Sequence, residues 1–272
     1  MAGEEYFSCP RPRLYGHRGA AGVAPENTLP SFERAVRDGA GYLELDVHAT
    51  RDGVVVVIHD PTLERTTDGA GAVRDLTLHE LRRFDAGFRF EHGGAHPFRG
   101  LGVRVPALEE LLDAFPTMPL NIEIKQAEPA IESRVVALLE RKGAAARTML
   151  AAESDEIMRR IRTCAPGVAS SASYGEAHDF FQRCFADHFV GYAPVARALQ
   201  IPVRVGEVEL VTETTVAAAH RHGLEMHVWT VNEEREIERL LDLGVDGVMS
   251  DFPERLVGVE RRRANRGKEA RR

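Results

Sequence analysis

The stretch Gly41–Asp60, GYLELDVHATRDGVVVVIHD, decides the reading of this chain. Two apolar runs, Tyr42–Val47 and Val54–Ile58, flank the polar turn Thr50-Arg51-Asp52-Gly53. Both runs have the composition of short strands, and Asp-Gly is a strong hairpin signal. Side chains alternate faces along a strand, so Glu44 and Asp46 point the same way. Two carboxylates so placed repel each other unless something positive lies between them, and a hard divalent cation is the usual solution. The competing reading is an exposed edge strand, where carboxylates are common. The second run ends in His59-Asp60, a polar pair at the tip of an otherwise apolar strand. Such a strand is built like the wall of an active site.

Upstream, Leu14–Arg18 is a short strand running into Gly16-His17-Arg18-Gly19. His and Arg side by side at a strand end suit a phosphate: a fixed positive fork beside a proton carrier. The glycines either bring the backbone close to something or simply make the turn. Pro25-Glu26-Asn27-Thr28 follows, with Asn27 or Thr28 as the cap of a helix ending near Asp38-Gly39. Glu26 is either a helix-start charge or a further reach toward the cation. Downstream, Leu120–Lys125 reads LNIEIK, which puts Asn121, Glu123 and Lys125 on one face. Buried polar groups need partners. Glu123 is therefore expected to join Glu44 and Asp46 on one cation, and Lys125 to neutralise a phosphate oxygen. A plain Glu123–Lys125 salt bridge is the alternative.

The 272 residues, 43% hydrophobic, are enough for one ordinary globular domain with a substantial core. A net charge of -7 argues against a general nucleic-acid binder. No apolar run approaches membrane-spanning length and no N-terminal stretch reads as a signal peptide, so no stable membrane insertion is expected. Cys9, Cys164 and Cys184 are odd in number and far apart, which suits reduced thiols in a cytoplasmic protein. Arg261–Arg272 is basic and without apolar periodicity, and is expected to be a disordered tail.

Beyond residue 120 the pattern alternates regularly between short apolar strands and helices, ending in the helix Pro253–Val259. That alternation means a parallel sheet, and a strand count close to eight favours closure into a barrel. A barrel of eight strand–helix units needs about 250 residues, which the chain has. The fold expected is α/β, a TIM (β/α)8 barrel over residues 1–260. Residues 61–119 interrupt the rhythm after the second strand region and read as an insertion or cap. Within it, Thr77-Leu78-His79-Glu80 matches a capping box.

Taken together, His17-Arg18-Gly19, Pro25-Glu26-Asn27-Thr28, Glu44-x-Asp46, Thr50-x-Asp52-Gly53 and His59-Asp60 occur in the order and spacing of the glycerophosphodiester phosphodiesterase family. Ile122-Glu123-Ile124-Lys125, Val228–Asn232 and Asp246–Pro253 look like the family's later motifs. The resemblance covers about residues 14–257. It implies a TIM barrel, one divalent cation (Mg2+ or Ca2+), two catalytic histidines, and hydrolysis of a small-molecule glycerophosphodiester to glycerol 3-phosphate and an alcohol. On that basis His17 and His59 are the catalytic pair, Glu44, Asp46 and Glu123 the metal ligands, and Arg18 and Lys125 bind substrate phosphate. Trp229, where the family lines its glycerol pocket with an aromatic, is a further substrate-binding residue, with a core tryptophan as the alternative. The chain has Ala151-Ala152-Glu153-Ser154 where many members carry Ser-Phe, so Glu153 is expected at the barrel mouth in contact with substrate or cation. Asp251, after Ser250 where the family often has threonine, is placed similarly to Trp229. Two other functions stand beside this one. A lysophospholipid-cleaving phosphodiesterase would need an apolar groove, for which Phe88, Phe90 and Phe98 are the candidates. A non-catalytic phosphodiester-binding barrel should lack one of the residues above, and all are present.

Overall fold

The computed structural model describes residues 5–269, with side chains to residue 267. Eight parallel strands form the barrel. They are β1 (Arg13–Gly16), β2 (Tyr42–Ala49), β4 (Leu120–Ile124), β5 (Thr148–Ala151), β6 (Ala169–Ser170), β7 (Ala198–Pro202), β10 (Glu225–Trp229) and β11 (Gly247–Ser250). Hydrogen bonding runs β6-β5-β4-β2-β1-β11-β10-β7. A parallel bridge between Ser171 and Ala198 joins the two ends and closes the ring, as expected from the alternation. The short strand β3 (Val55–Val57) lies outside this ring and pairs antiparallel with β2 across the Asp52-Gly53 turn. The second apolar run is thus a hairpin arm that continues β2, not a barrel stave.

Helices follow the strands and pack outside: α1 (Leu29–Asp38), α3 (Leu108–Ala114), α4 (Glu132–Arg141), α5 (Asp155–Cys164), α6 (Tyr174–Phe185), α7 (Glu213–Arg221) and α8 (Glu234–Asp242). Each turns an apolar stripe inward. On α8, for example, Ile237, Leu240 and Leu241 are buried while the acidic positions face out. The expected capping box is formed, with the Thr77 side chain accepting from the Glu80 backbone N–H, but the helix behind it, α2 (Leu78–Leu81), is a single turn. Residues of 61–119 gather a small core of their own, in which Leu63, Val73, Leu81, Val103 and Val105 pack against Val56 and Ile58.

Two expectations are corrected. Asn27 and Thr28 do not cap α1 through their side chains; the Thr28 hydroxyl donates to the Pro25 carbonyl instead, and Asn27 is drawn into the site. The basic tail is not disordered over its described part. The closing helix α9 runs Pro253–Glu269, and residues 270–272 lie outside the described residues. The reason is charge complementarity. Arg262 pairs with Glu234 at 2.7 Å, and Arg263 and Arg266 pair with Asp242 and Glu238, all on the exposed face of α8.

The lower interior of the barrel is filled by Tyr15, Tyr42, Met149, Met249 and, from the segment before β1, Tyr6. Tyr6 is fully buried, shares a 2.8 Å hydrogen bond with the Tyr15 hydroxyl and accepts from the Tyr42 hydroxyl through its carbonyl. Beneath them Arg13, 1% exposed, forms a two-pronged ion pair with Glu225 at 2.7 and 2.8 Å. This packing seals one end and leaves the carboxyl ends of the strands as the open mouth.

Candidate active site

The strand register explains why three acids from distant parts of the sequence meet. Strand β2 pairs with β4 so that Glu44 lies beside Asn121 and Asp46 beside Glu123. All four face into the mouth. One carboxylate oxygen from each of Glu44, Asp46 and Glu123 lies within 4.8 Å of the others. Glu44 and Asp46 are buried, 3% and 1% exposed, and Glu123 is half-buried. The exposed edge-strand alternative is therefore excluded.

Such crowding has an electrostatic signature. Burial, then the charge of Asp46, pushes the Glu44 carboxyl up to about 7. Burial also raises Glu123, against the pull of Lys125. Lys125 Nζ sits 2.8 Å from Glu123 and 3.6 Å from Asp46, so its ammonium offsets the charge of two of the three acids. The salt bridge weighed against a phosphate role is thus present. It also holds the ammonium at the mouth, beside the acids.

His17 and Arg18 follow β1 directly. Gly16 and Gly19 bracket them because neither has room for a Cβ: one at Gly16 would lie 2.5 Å from the Gly19 carbonyl oxygen and 2.7 Å from Ala35 Cβ on α1, and one at Gly19 would lie 2.4 Å from Ser31 Oγ. The turn between them is strained, with Arg18 at φ 49°. That strain aims the Arg18 backbone N–H at Glu44 Oε2, 2.8 Å away. The Arg18 guanidinium lies against Asp46 at 3.2 Å and Glu26 at 3.0 Å. His17 Nδ1 donates to Asp251 at 2.7 Å, which leaves Nε2 3.9 Å from Glu44. Burial works to lower the His17 pKa, but the Asp251 hydrogen bond and the charge of Glu44 overcome it, so His17 titrates above its ordinary value. Asp251 is held in turn by Asn232, whose amide donates at 2.8 Å.

His59 enters from the hairpin. The Ile58 N–H donates to the Asp46 carbonyl at 2.9 Å, and His48 Nε2 donates to the His59 carbonyl at 3.0 Å. His48 thus fixes the backbone of the predicted catalytic residue. His59 Nδ1 donates to Asp60 at 2.6 Å. Burial opposes ionisation of Asp60, but Arg65 and His59 hold its carboxyl down at about 2. Arg65 grips Asp60 at 2.6 Å and reaches both oxygens of Glu26 at 2.7 Å. A continuous chain of ion pairs therefore runs His59–Asp60–Arg65–Glu26–Arg18–Asp46. Glu26 is committed to two arginines and does not join the three-carboxylate cluster.

Trp229 ends β10 half-buried, and Glu153 follows β5 exposed. Both line a groove shared with Glu123. Phe88, Phe90 and Phe98 do not line it. Phe90 and Phe98 pack edge to face at 5.5 Å, and Phe88 carries the Arg99 guanidinium over its ring. Sequence reasoning missed Asn27 and Arg65. Asn27 adopts a left-handed φ of 56°, which directs its amide to Asp46 Oδ2 at 2.9 Å. An asparagine two residues before a helix start carries the same signal as a cap, and only the turn geometry separates the two roles.

Comparison with known proteins agrees with this arrangement. The model of the Glycerophosphoryl diester phosphodiesterase family matches residues 17–255. A glycerophosphodiester phosphodiesterase of Caldanaerobacter subterraneus subsp. tengcongensis is 30% identical over 92% of this chain and 98% of its own. The crystal structure of a putative glycerophosphoryl diester phosphodiesterase from Silicibacter pomeroyi superposes with a TM-score of 0.75 at 30% identity, over 91% of this chain and 92% of that one. An Oleispira antarctica phosphodiesterase, solved in complex with the product sn-glycerol-3-phosphate, superposes with a TM-score of 0.72 at 25% identity, over 91% of this chain and 96% of its own. A family match spanning nearly all of the barrel, both histidines and all three acids places this chain in the glycerophosphoryl diester phosphodiesterase family.

Proposed function

We propose that the chain hydrolyses glycerophosphodiesters to glycerol 3-phosphate and an alcohol, with Glu44, Asp46 and Glu123 holding one divalent cation and His17 and His59 dividing the proton transfers. As a family member it is a phosphoric diester hydrolase. The observation that carries the finer reading is the convergence of three carboxylates within 4.8 Å, with the Nε2 of His17 3.9 Å from one of them. The donors fit a metal: all are oxygens, two are deeply buried, and burial together with the neighbouring Asp46 charge pushes Glu44 up to about 7. An all-oxygen set matches Mg2+ or Ca2+. Bound there, the cation would polarise a phosphoryl oxygen and lower the pKa of a hydroxyl beside it.

The chain's own residues supply the rest. Arg18 and Lys125 offset charge on the remaining phosphoryl oxygens. Asp251 and Asp60 each occupy the Nδ1 of one histidine, which orients the ring and leaves its Nε2 as the atom that exchanges protons. One imidazole takes the proton of the attacking hydroxyl as the new P–O bond forms. The other gives a proton to the departing alkoxide as the old P–O bond breaks. The attacking hydroxyl is either the neighbouring hydroxyl of the glycerol, giving a cyclic phosphate that water then opens, or water itself. Trp229 and Glu153 flank the entrance and contact the organic part of the substrate. Among the described residues no helix is long and apolar enough to cross a membrane. With three unpaired cysteines, this supports action on water-soluble diesters in the cytoplasm. Phosphorus NMR of glycerophosphocholine incubated with the protein and Mg2+ or Ca2+ tests the reading. Appearance of glycerol 3-phosphate is expected, and an unchanged diester signal in both metals would overturn it.

A further inference from the structure

A polar pair crosses the barrel interior just below the mouth, and the mechanism above does not use it. Gln200, on β7, donates from Nε2 to Asn121 Oδ1, on β4, at 3.0 Å. The return contact, from Asn121 Nδ2 to Gln200 Oε1, is stretched to 3.5 Å. Asn121 is 2% exposed, faces Glu44 in register on the neighbouring strand and stands two positions before Glu123. Gln200 lies one inward layer below Trp229, because β10 pairs with β7 so that His227 meets Gln200 and Trp229 meets Pro202. The Gln200 carboxamide therefore sits on the floor of the mouth, between the carboxylate cluster and the tryptophan. Gln200 lines the groove of about 550 Å³ that Glu123 and Trp229 share. Ala151 on β5 and Ser171 after β6 line the same groove, and these small side chains leave the amide open to it from above.

From this geometry we infer that Gln200 is a specificity-determining residue, whose carboxamide binds the terminal hydroxyl of the substrate's glycerol moiety. The inference rests on the phosphodiesterase reading above. A primary amide carries two N–H donors and an oxygen with two lone pairs. Asn121 occupies one N–H closely and the oxygen only at the stretched distance. What remains is a donor and an acceptor side by side, which matches a hydroxyl, itself both donor and acceptor. A quaternary ammonium has no N–H and cannot complete that pattern. The bond to Asn121 also holds the amide in place before substrate arrives, so little ordering opposes binding. Depth decides which part of the diester reaches it. With the phosphate at the carboxylates, the hydroxyl next to it stays beside the cation, and the terminal hydroxyl, one carbon farther on, meets the floor. The alcohol on the other side of the phosphorus leaves toward the rim, where Glu153 is exposed.

The test compares glycerophosphocholine with 2-hydroxypropyl phosphocholine, which keeps the hydroxyl next to the phosphate and lacks the terminal one. The unmodified protein should favour glycerophosphocholine by about tenfold or more in kcat/KM. Gln200→Met keeps the side-chain length and removes both polar atoms. It should abolish that preference by losing activity on the glycerol substrate, while the ratio between glycerophosphocholine and glycerophosphoethanolamine stays as it was. If Gln200→Met does not fold, Gln200→Asn, which withdraws the amide by one methylene, reads the same ratios. Damage to the fold lowers both substrates alike, so equal losses would overturn the inference. So would an unmodified protein that cleaves both substrates equally well. A changed choline-to-ethanolamine ratio with the glycerol preference intact would also overturn it, by setting the amide against the leaving alcohol. Calorimetry in Mg2+ gives a readout without turnover: glycerol 3-phosphate should bind about tenfold or more tighter than 2-hydroxypropyl phosphate. Failure to cleave glycerophosphocholine would sink the phosphodiesterase reading instead. The calorimetry would still decide Gln200, with equal affinities, or binding of neither phosphate, counting against it.

Discussion

His17 and His59 have one feature in common that no other histidine of the site shares: each donates through Nδ1 to a carboxylate that is itself held by a second residue. Asp251 is held by Asn232, and Asp60 by Arg65. Replacing either histidine with alanine removes the proton carrier and leaves the barrel core untouched. Turnover of glycerophosphocholine should fall by about 10²- to 10⁴-fold in each, with the thermal midpoint essentially unchanged. Retention of a tenth of the activity in either variant would remove that residue from the mechanism. Arg65 is a positioning residue. Arg65→Ala should cost roughly 10- to 100-fold in kcat, because it frees both Asp60 and Glu26. Arg65→Lys should recover only part, since one ammonium cannot reproduce a fork that grips two carboxylates. At this scale the sequence shows the residues that perform chemistry, because their types and spacings are distinctive. It conceals the residues that aim them, because an arginine 39 positions from its glutamate partner leaves no local pattern.

Elements were legible where periodicity was long enough to register. The eight-residue β2 and the ten-residue α4 and α5 stand out by alternation or by helical spacing. Two-residue β8 (Arg204–Val205) and β9 (Val208–Glu209) do not, so the hairpin that brings Val205 and Val208 to the groove beside Trp229 leaves no sequence signal, and an apolar groove is sought instead among the phenylalanines of 61–119. The extension of α9 escaped for another reason: its last turns carry no apolar stripe and are held by arginines against the acids of α8. Exposed pairs of this kind contribute between about 0.2 and 1 kcal/mol each. Deleting residues 261–272 should therefore reduce the helical circular dichroism signal while moving the thermal midpoint by only a few degrees. A fall of more than ten degrees would mean that the tail packs as core.

The whole molecule separates function from stability along the barrel axis. The mouth concentrates more carboxylates than the Arg18, Arg65 and Lys125 cations can match, whereas the sealed end carries matched polar groups around Tyr6, Tyr15, Tyr42, Arg13 and Glu225. Burial disfavours the Glu225 carboxylate, but His227 and Arg13 hold it down at about 2, below its ordinary 4.5. A carboxyl depressed on folding contributes stability above about pH 4.5 and loses it as pH falls toward 2, by roughly 3 kcal/mol in all. Glu225→Gln should lower stability by about that amount at neutral pH, and the gap from the parent should close between pH 4.5 and 2. A gap independent of pH would show that packing, not charge, holds this end together.

At the mouth the sign is reversed, because Glu44 is raised to about 7 and must release its proton before it can bind a cation. Calorimetric titration of the metal-stripped protein with Mg2+ or Ca2+ measures this most directly. The account requires one site per chain, with affinity falling up to tenfold per pH unit below about 7 and at least tenfold weaker in Glu123→Gln. Binding that is absent, or indifferent to both pH and Glu123, would contradict it.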